Sequence, residues 1–125
     1  ILAEGMDARF ARHRKLGGAF KAGLAALGLK QVPKRTELLA TTLSAIYYPQ
    51  GVDKSLVKYI DEAGVIVAGG LHPAIRDQYF RVGHMGAVGS TDILATTGAI
   101  ETGLSPAGYG FERGSGGAAA QQALV

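Results

Sequence analysis

The sequence predicts a two-layer α+β domain in which helices cover a largely antiparallel sheet. Its 125 residues are enough for one domain and hardly for two. The predicted elements follow in the order helix, strand, strand, helix, strand, strand, helix, which favours helices packed on an antiparallel sheet. Hydrophobic residues make up 47% and charged residues 18% of the chain, a composition typical of globular rather than disordered proteins.

The first predicted element is a long helix over residues 1–28. Its larger side chains recur at spacings of three, four and seven and share one helical face: Leu2, Met6, Phe10, His13, Phe20, Leu24 and Leu27. Gly17 fills the missing position in this stripe. Glycine costs ~1 kcal/mol relative to alanine inside a helix, so we expect another backbone to approach Gly17 closely. Gly28 suits the left-handed conformation that ends many helices. So long a helix is expected to serve something outside this domain.

Two strands and a second helix are predicted next. Residues 29–32 form a strand that Pro33 stops, and residues 41–48 are rich in threonine, isoleucine and tyrosine. Asp53 is a suitable N-cap for a helix that ends at Gly64. The apolar face of this helix consists of Leu56, Val57, Ile60 and Ala63.

The second half of the chain predicts two more strands and a third helix. Residues 65–68 and 79–83 form the strands, and a glycine-containing loop over 86–89 follows. Ser90 can cap the third helix, whose apolar residues repeat at three and four: Ile93, Leu94, Thr97, Ile100 and Leu104. We therefore expect a domain over residues 1–104. Residues 105–125 form a glycine- and alanine-rich tail, extended except for one or two helical turns near its end.

The composition excludes several classes of function. The chain has no cysteine, so it has no disulfide, thiolate metal site or thiol nucleophile. An excess of three positive charges is too small to indicate a nucleic-acid partner. No apolar stretch reaches the ~18 residues that a membrane span requires, and no targeting segment is visible.

Three features could bind a ligand, but each has a structural interpretation that we favour. Arg9, Arg12, Arg14 and Lys15 with His13 could bind phosphate, or simply form a solvated helix face. The glycine loop 83–89 before Ser90 could hold an anion, or merely cap a helix. The three histidines could bind a metal, but their spacing lacks a paired carboxylate motif: His13, His72 and His84.

Arg81 is the fourth and most informative feature. It lies on a predicted strand between Phe80 and Val82, and alternation sends its side chain to the opposite face. An arginine among apolar neighbours needs a partner, and its planar fork suits a carboxylate. That carboxylate could belong to a ligand or to an acid of this domain, and the residues alone leave both open. Because no nucleophile, acid–base pair or cofactor lysine is recognisable, the chain is not a complete enzyme by itself.

Three segments carry a resemblance to a known family. The run GVIVAGGLH at 64–72, followed by YFRVGHMG at 79–86, resembles the C-terminal small domain of class V pyridoxal-phosphate aminotransferases, in particular the alanine–glyoxylate (serine–pyruvate) type. The run EGMDARFARH at 4–13 is similar to the start of that family's long linking helix. The resemblance covers roughly residues 1–104.

The resemblance implies a function for Arg81 and for the whole protein. It places this chain in a fold-type I enzyme that moves an amino group from alanine or serine to glyoxylate or pyruvate. Arg81 then corresponds to the arginine that binds the substrate's α-carboxylate, while His84 and Met85 pack around its strand. Pyridoxal 5'-phosphate is bound by a lysine of the N-terminal large domain, outside this segment. The resemblance further implies a homodimer in the cytoplasm or an organelle, with neither nucleic acid nor membrane as partner.

Two other classes of function remain compatible with the residues. The chain could be an autonomous small-molecule-binding or regulatory domain that uses the apolar strands and the loop 69–72. It could also be a weakly basic nucleic-acid-binding module, although it lacks the interleaved aromatic residues usual for base stacking.

Overall fold

The computed structural model describes residues 3–33, 40–85 and 88–125. Its helices and strands are α1 (Met6–Ala26), β1 (Leu43–Tyr47), α2 (Ser55–Glu62), β2 (Ala68–Gly69), β3 (Tyr79–Gly83), α3 (Ser90–Leu104) and α4 (Ser115–Leu124). The strands form one antiparallel sheet in the order β1-β3-β2, with β3 in the centre. The predicted α+β class with an antiparallel sheet is confirmed. Within the residues that the structure describes, no helix has both the length and the apolar character needed to cross a bilayer.

Helix α1 is shorter at its start than the sequence predicts. It begins at Met6, because Gly5 adopts a positive φ of 83° and breaks the helical path. Leu2, the first residue of the predicted stripe, lies outside the described residues. Phe20 and Leu24 are fully buried at the centre of the core. The helix ends as expected, with Gly28 in the left-handed region at φ 76°.

Gly17 lets the chain after the first helix pack directly on α1. A Cβ atom at this position would lie 2.5 Å from the carbonyl oxygen of Thr41. The predicted close approach of another backbone is thus confirmed, and the approaching backbone belongs to this chain.

Substituting the two adjacent glycines of α1 tests this contact. Gly17→Ala should lower the free energy of unfolding relative to Gly18→Ala by about 1–3 kcal/mol, the usual cost of overpacking. A Cβ at exposed Gly18 meets nothing within 4 Å. Both substitutions gain the same helix propensity, so their difference isolates the clash with Thr41. Equal stabilities in denaturant unfolding would show that this segment moves away without cost.

Two predicted strands differ from the observed ones. Residues 29–32 contribute only a bridge between Gln31 and Ile46, because Pro33 has no N–H with which to continue the ladder. The strand predicted at 65–68 lies at Ala68–Gly69 instead. Val65 still donates its N–H to the carbonyl of Ile60 at the end of α2, so pairing begins only at Ala68.

Aspartates bond to the backbone at the starts of α2 and α3, but neither predicted N-cap is the observed one. The N-cap of α2 is Lys54 rather than Asp53, although Asp53 accepts a hydrogen bond from the backbone N–H of Ser55 at 2.9 Å. At α3 the N-cap is Gly89 rather than Ser90, and Asp92 accepts the N–H of Gly89 at 2.7 Å.

The C-terminal segment folds further than expected. Residues 115–124 form a helix of ten residues instead of an extended tail with one or two turns. Helix α4 packs on α1, where a Cβ at Gly23 would lie only 3.0 Å from the carbonyl oxygen of Gly116. The carboxylate of Glu101 accepts the N–H groups of Gly114 and Gly117. The glycine-rich composition therefore permits close helix packing, a use that composition alone does not reveal.

Candidate functional site

Arg81 lies in the middle of the central strand. It is paired with Ala45 of β1 on one side and with Ala68 of β2 on the other. Its neighbours Phe80 and Val82 are buried in the core, at 0% and 6% exposure, whereas Arg81 is partly exposed on the opposite face. Because both cross-strand partners are alanines, no large side chain on these partners covers the guanidinium.

The guanidinium of Arg81 is held at one end and open at the other. Its Nε donates to the carbonyl oxygen of Gly69 at 2.8 Å. Within residues 3–33, 40–85 and 88–125, no carboxylate lies in ion-pair range of Arg81, and its two terminal nitrogens make no hydrogen bond. These two nitrogens form the edge that grips a carboxylate in a bidentate manner. An acid from the described part of this domain is therefore not the partner of Arg81.

Tyr79 fixes the loop that supplies Gly69. Its hydroxyl accepts hydrogen bonds from the backbone N–H groups of Leu71 and His72, each at 2.9 Å. Its ring contacts Gly70 so closely that a Cβ there would lie 2.6 Å from Cε1. These two N–H groups, together with the charge of Arg81, lower the pKa of Tyr79. Sequence reasoning missed this role; the available signal was a tyrosine two residues before Arg81, on the same face of its strand.

His84 anchors the end of the central strand to α1. It is 2% exposed, and its Nε2 forms a hydrogen bond of 2.9 Å with Oγ of Ser44. Nζ of Lys21 donates to the same Oγ at 3.2 Å, and the ring of Phe20 lies 5.4 Å from the imidazole. His84 thus packs behind the arginine strand as expected. Met85 does not, since it is 58% exposed.

Two arginines of the basic cluster on α1, Arg9 and Arg12, are engaged in contacts within the chain. Arg12 forms a bidentate pair with Glu4 at 2.6 and 3.0 Å, and it also donates to the carbonyl oxygen of Val88 at 2.7 Å. Arg9 contacts Glu4 at 3.4 Å. The hydrogen bond from Arg12 holds the pKa of Glu4 at about 2. Arg12 therefore ties the loop before α3 to the first helix.

The histidines and the glycine loop are the other two candidate features. His13 is buried and its Nδ1 lies 2.8 Å from the carbonyl oxygen of Arg9, whereas His72 is exposed. The described ranges contain no group of three or more residues suited to a metal. At the glycine loop, the carboxylate of Asp92 already occupies the start of α3, so an anion would be repelled there. Residues 86–87 of this loop lie outside the described residues.

Sequence comparison identifies the family. No protein-family model matches the chain. The L-aspartate–glyoxylate aminotransferase of Paracoccus denitrificans is 36% identical over 98% of this chain and 31% of its own length. The serine–glyoxylate aminotransferase of Hyphomicrobium methylovorum is 34% identical over 97% of this chain and 30% of its own length. This chain is homologous to part of these aminotransferases. The resemblance seen in the sequence is confirmed, and it extends past residue 104 into the C-terminal segment.

Structure comparison locates the chain within an aminotransferase. The crystal structure of pyridoxamine–pyruvate aminotransferase from Mesorhizobium loti superimposes with a TM-score of 0.91 and 29% identity. The superposition covers 98% of this chain and 32% of that enzyme. The chain matches the C-terminal part of such aminotransferases, and it spans about a third of the length of the relatives it matches.

Proposed function

We propose that this chain is the C-terminal small domain of a class V, pyridoxal-phosphate-dependent aminotransferase, and that Arg81 binds the substrate's α-carboxylate. The proposed enzyme moves an amino group from alanine or serine to glyoxylate or pyruvate, so that glyoxylate becomes glycine. The open edge of the Arg81 guanidinium carries this proposal. Nε is bonded to Gly69, the terminal nitrogens are available, and no described acid competes for them.

The residues around Arg81 fit a substrate carboxylate and not the cofactor itself. Ala45 and Ala68, its partners in the sheet, offer neither an amine nor an acid to pyridoxal phosphate. The cofactor would supply the electron sink for the amino acid's α-carbanion, and the N-terminal domain would hold it. We therefore assign no cofactor-binding residue to this chain.

Arg81 would orient the substrate rather than take part in bond breaking. Two parallel hydrogen bonds to a carboxylate fix both its position and its plane. A substrate whose carboxylate is fixed in this way presents its α-carbon at a defined distance and angle to groups held elsewhere. Amino and keto acids share the α-carboxylate, so Arg81 serves both halves of a transamination and does not select the donor.

An amino-transfer assay of the full-length enzyme tests the proposal. Loaded with pyridoxal phosphate, it should convert alanine or serine to the keto acid while glyoxylate becomes glycine. Failure with every donor and acceptor that carries an α-carboxylate would contradict the proposal. An autonomous regulatory domain would then be the better interpretation.

The N-terminal half of α1 offers a surface for the rest of the enzyme. Met6, Phe10 and Met85 are 48%, 51% and 58% exposed, and they border one groove with His13 and Thr42. Large apolar side chains grouped in this way mark an interface. Since the matched relatives are about three times as long as this chain, we propose that their N-terminal large domain covers the groove. A homodimer in the cytoplasm or an organelle belongs to the same proposal.

Thiol labelling tests this docking surface, because the chain has no cysteine of its own. In the full-length enzyme, Phe10→Cys should react with a maleimide much more slowly than Lys15→Cys, since the N-terminal domain covers only the first position. Lys15 is exposed on the same helix and serves as the matched control. The unsubstituted enzyme gives the background rate. Equal labelling rates at the two positions would place the N-terminal domain elsewhere.

A further inference from the structure

A chain of contacts leads from the Tyr79 hydroxyl to the Arg81 guanidinium. The two residues lie two positions apart on β3, so their side chains share one face of the sheet. The segment after β2 folds over Tyr79, which is only 7% exposed. The carbonyl oxygen of Gly69, the last residue of β2 and the one directly before this segment, accepts the Nε–H of Arg81.

Both parts of the Tyr79 side chain hold this segment in place. Its hydroxyl accepts the consecutive N–H groups of Leu71 and His72, each at 2.9 Å. Its ring lies against Gly70, where a Cβ would also meet the carbonyl oxygen of Arg76 at 2.6 Å. The hydroxyl and ring of Tyr79 therefore hold the peptide groups that follow Gly69. Holding them also fixes the direction of the Gly69 carbonyl.

We propose that Tyr79 is a positioning residue for substrate binding: by holding the segment from Gly69 to His72, it fixes the carbonyl that orients the guanidinium of Arg81. The inference rests on the proposed role of Arg81 in carboxylate binding. A guanidinium bonded at Nε keeps its two terminal nitrogens pointing in one direction. Without that bond the fork rotates, and fewer of its orientations match a bound carboxylate.

Tyr79→Phe in the full-length enzyme isolates the hydroxyl, since phenylalanine keeps the ring against Gly70. We expect kcat/KM for amino and keto acids to fall by about three- to tenfold, the effect of one or two ordinary hydrogen bonds. The loss should appear mainly in KM, with the affinity for pyridoxal phosphate unchanged. Tyr109→Phe is the matched control: its hydroxyl donates to the carbonyl of Leu27 at 2.7 Å, so its loss should lower the melting temperature and leave KM unchanged.

A double-mutant cycle with Arg81→Lys shows whether Tyr79 acts through Arg81. Lysine has no Nε–H to give to Gly69, so in this background Tyr79→Phe should change kcat/KM by less than about twofold. An equal penalty in both backgrounds, or no penalty in the wild-type enzyme, would overturn the inference. If Arg81→Lys itself leaves the kinetics unchanged, the proposed function of Arg81 fails, and that outcome is separate from the failure of the inference.

Discussion

Arg81→Ala in the full-length enzyme should lower kcat/KM for amino- and keto-acid substrates by about ten- to more than hundredfold. The lost interaction is a charge-assisted hydrogen bond to the substrate carboxylate, worth roughly 1.5–3 kcal/mol, and each 1.4 kcal/mol is about a factor of ten. Affinity for pyridoxal phosphate should change little, because the described neighbours of Arg81 do not suit the cofactor. Steady-state kinetics with alanine and glyoxylate, together with cofactor titration, measure both quantities.

Two further variants make this result specific to Arg81. Arg81→Lys should recover only part of the activity, since an ammonium group keeps the charge but loses the planar fork. Arg113→Ala removes an exposed arginine before α4 and should leave the kinetics unchanged. If Arg81→Ala keeps normal kinetics while its melting temperature falls by many degrees, Arg81 is a structural residue and the site assignment is wrong.

Acid should destabilise the fold through His84. Burial, reinforced by the positive charge of Lys21, lowers the pKa of His84 from 6.5 to about 4. The folded state thus resists protonation, whereas an unfolded histidine accepts a proton near pH 6.5. The stability contributed by neutral His84 is complete above about pH 6.5 and is lost as the pH falls toward 4. The free energy of unfolding should therefore fall by up to about 3 kcal/mol, since a shift of one pKa unit corresponds to about 1.36 kcal/mol.

Denaturant unfolding between pH 4 and 7.5 measures this loss when wild type is compared with His84→Gln. Glutamine can still bond to Ser44 but does not titrate, so the difference between the two stabilities should shrink on acidification. His72→Gln replaces an exposed histidine and controls for the loss of one histidine elsewhere in the chain. A constant difference between wild type and His84→Gln across this range would show that His84 does not titrate with folding.

The sequence predicts the elements whose cause is local. Periodicity predicts α1 and α3, alternation places Arg81 opposite Phe80 and Val82, and Gly28 ends α1 in the left-handed region as expected. The missing stripe position at Gly17 even predicts a close backbone contact. In each case a few neighbouring residues carry the signal, even where the contact itself, as at Gly17, is made with a distant residue.

Features that depend on distant residues escape this reasoning. The helix at 115–124 has two glycines in its first turn, and its packing on Gly23 and capping by Glu101 become visible only in three dimensions. The role of Tyr79 depends in the same way on a loop that folds back over its own strand. Sequence reasoning finds Arg81 at the candidate site, but not Gly69 and Tyr79, which orient its guanidinium.

The contact between α1 and α4 determines when the domain can be completed during its synthesis. Gly23 emerges from the ribosome about 90 residues before Gly116, and at about 5–20 residues per second the interval lasts roughly 5–20 s. Throughout this interval the side of α1 that α4 will cover stays open to other nascent chains and to chaperones. Among the described helices, α1 is therefore the first to be made, and its contact with α4 is completed only when the last of them has emerged.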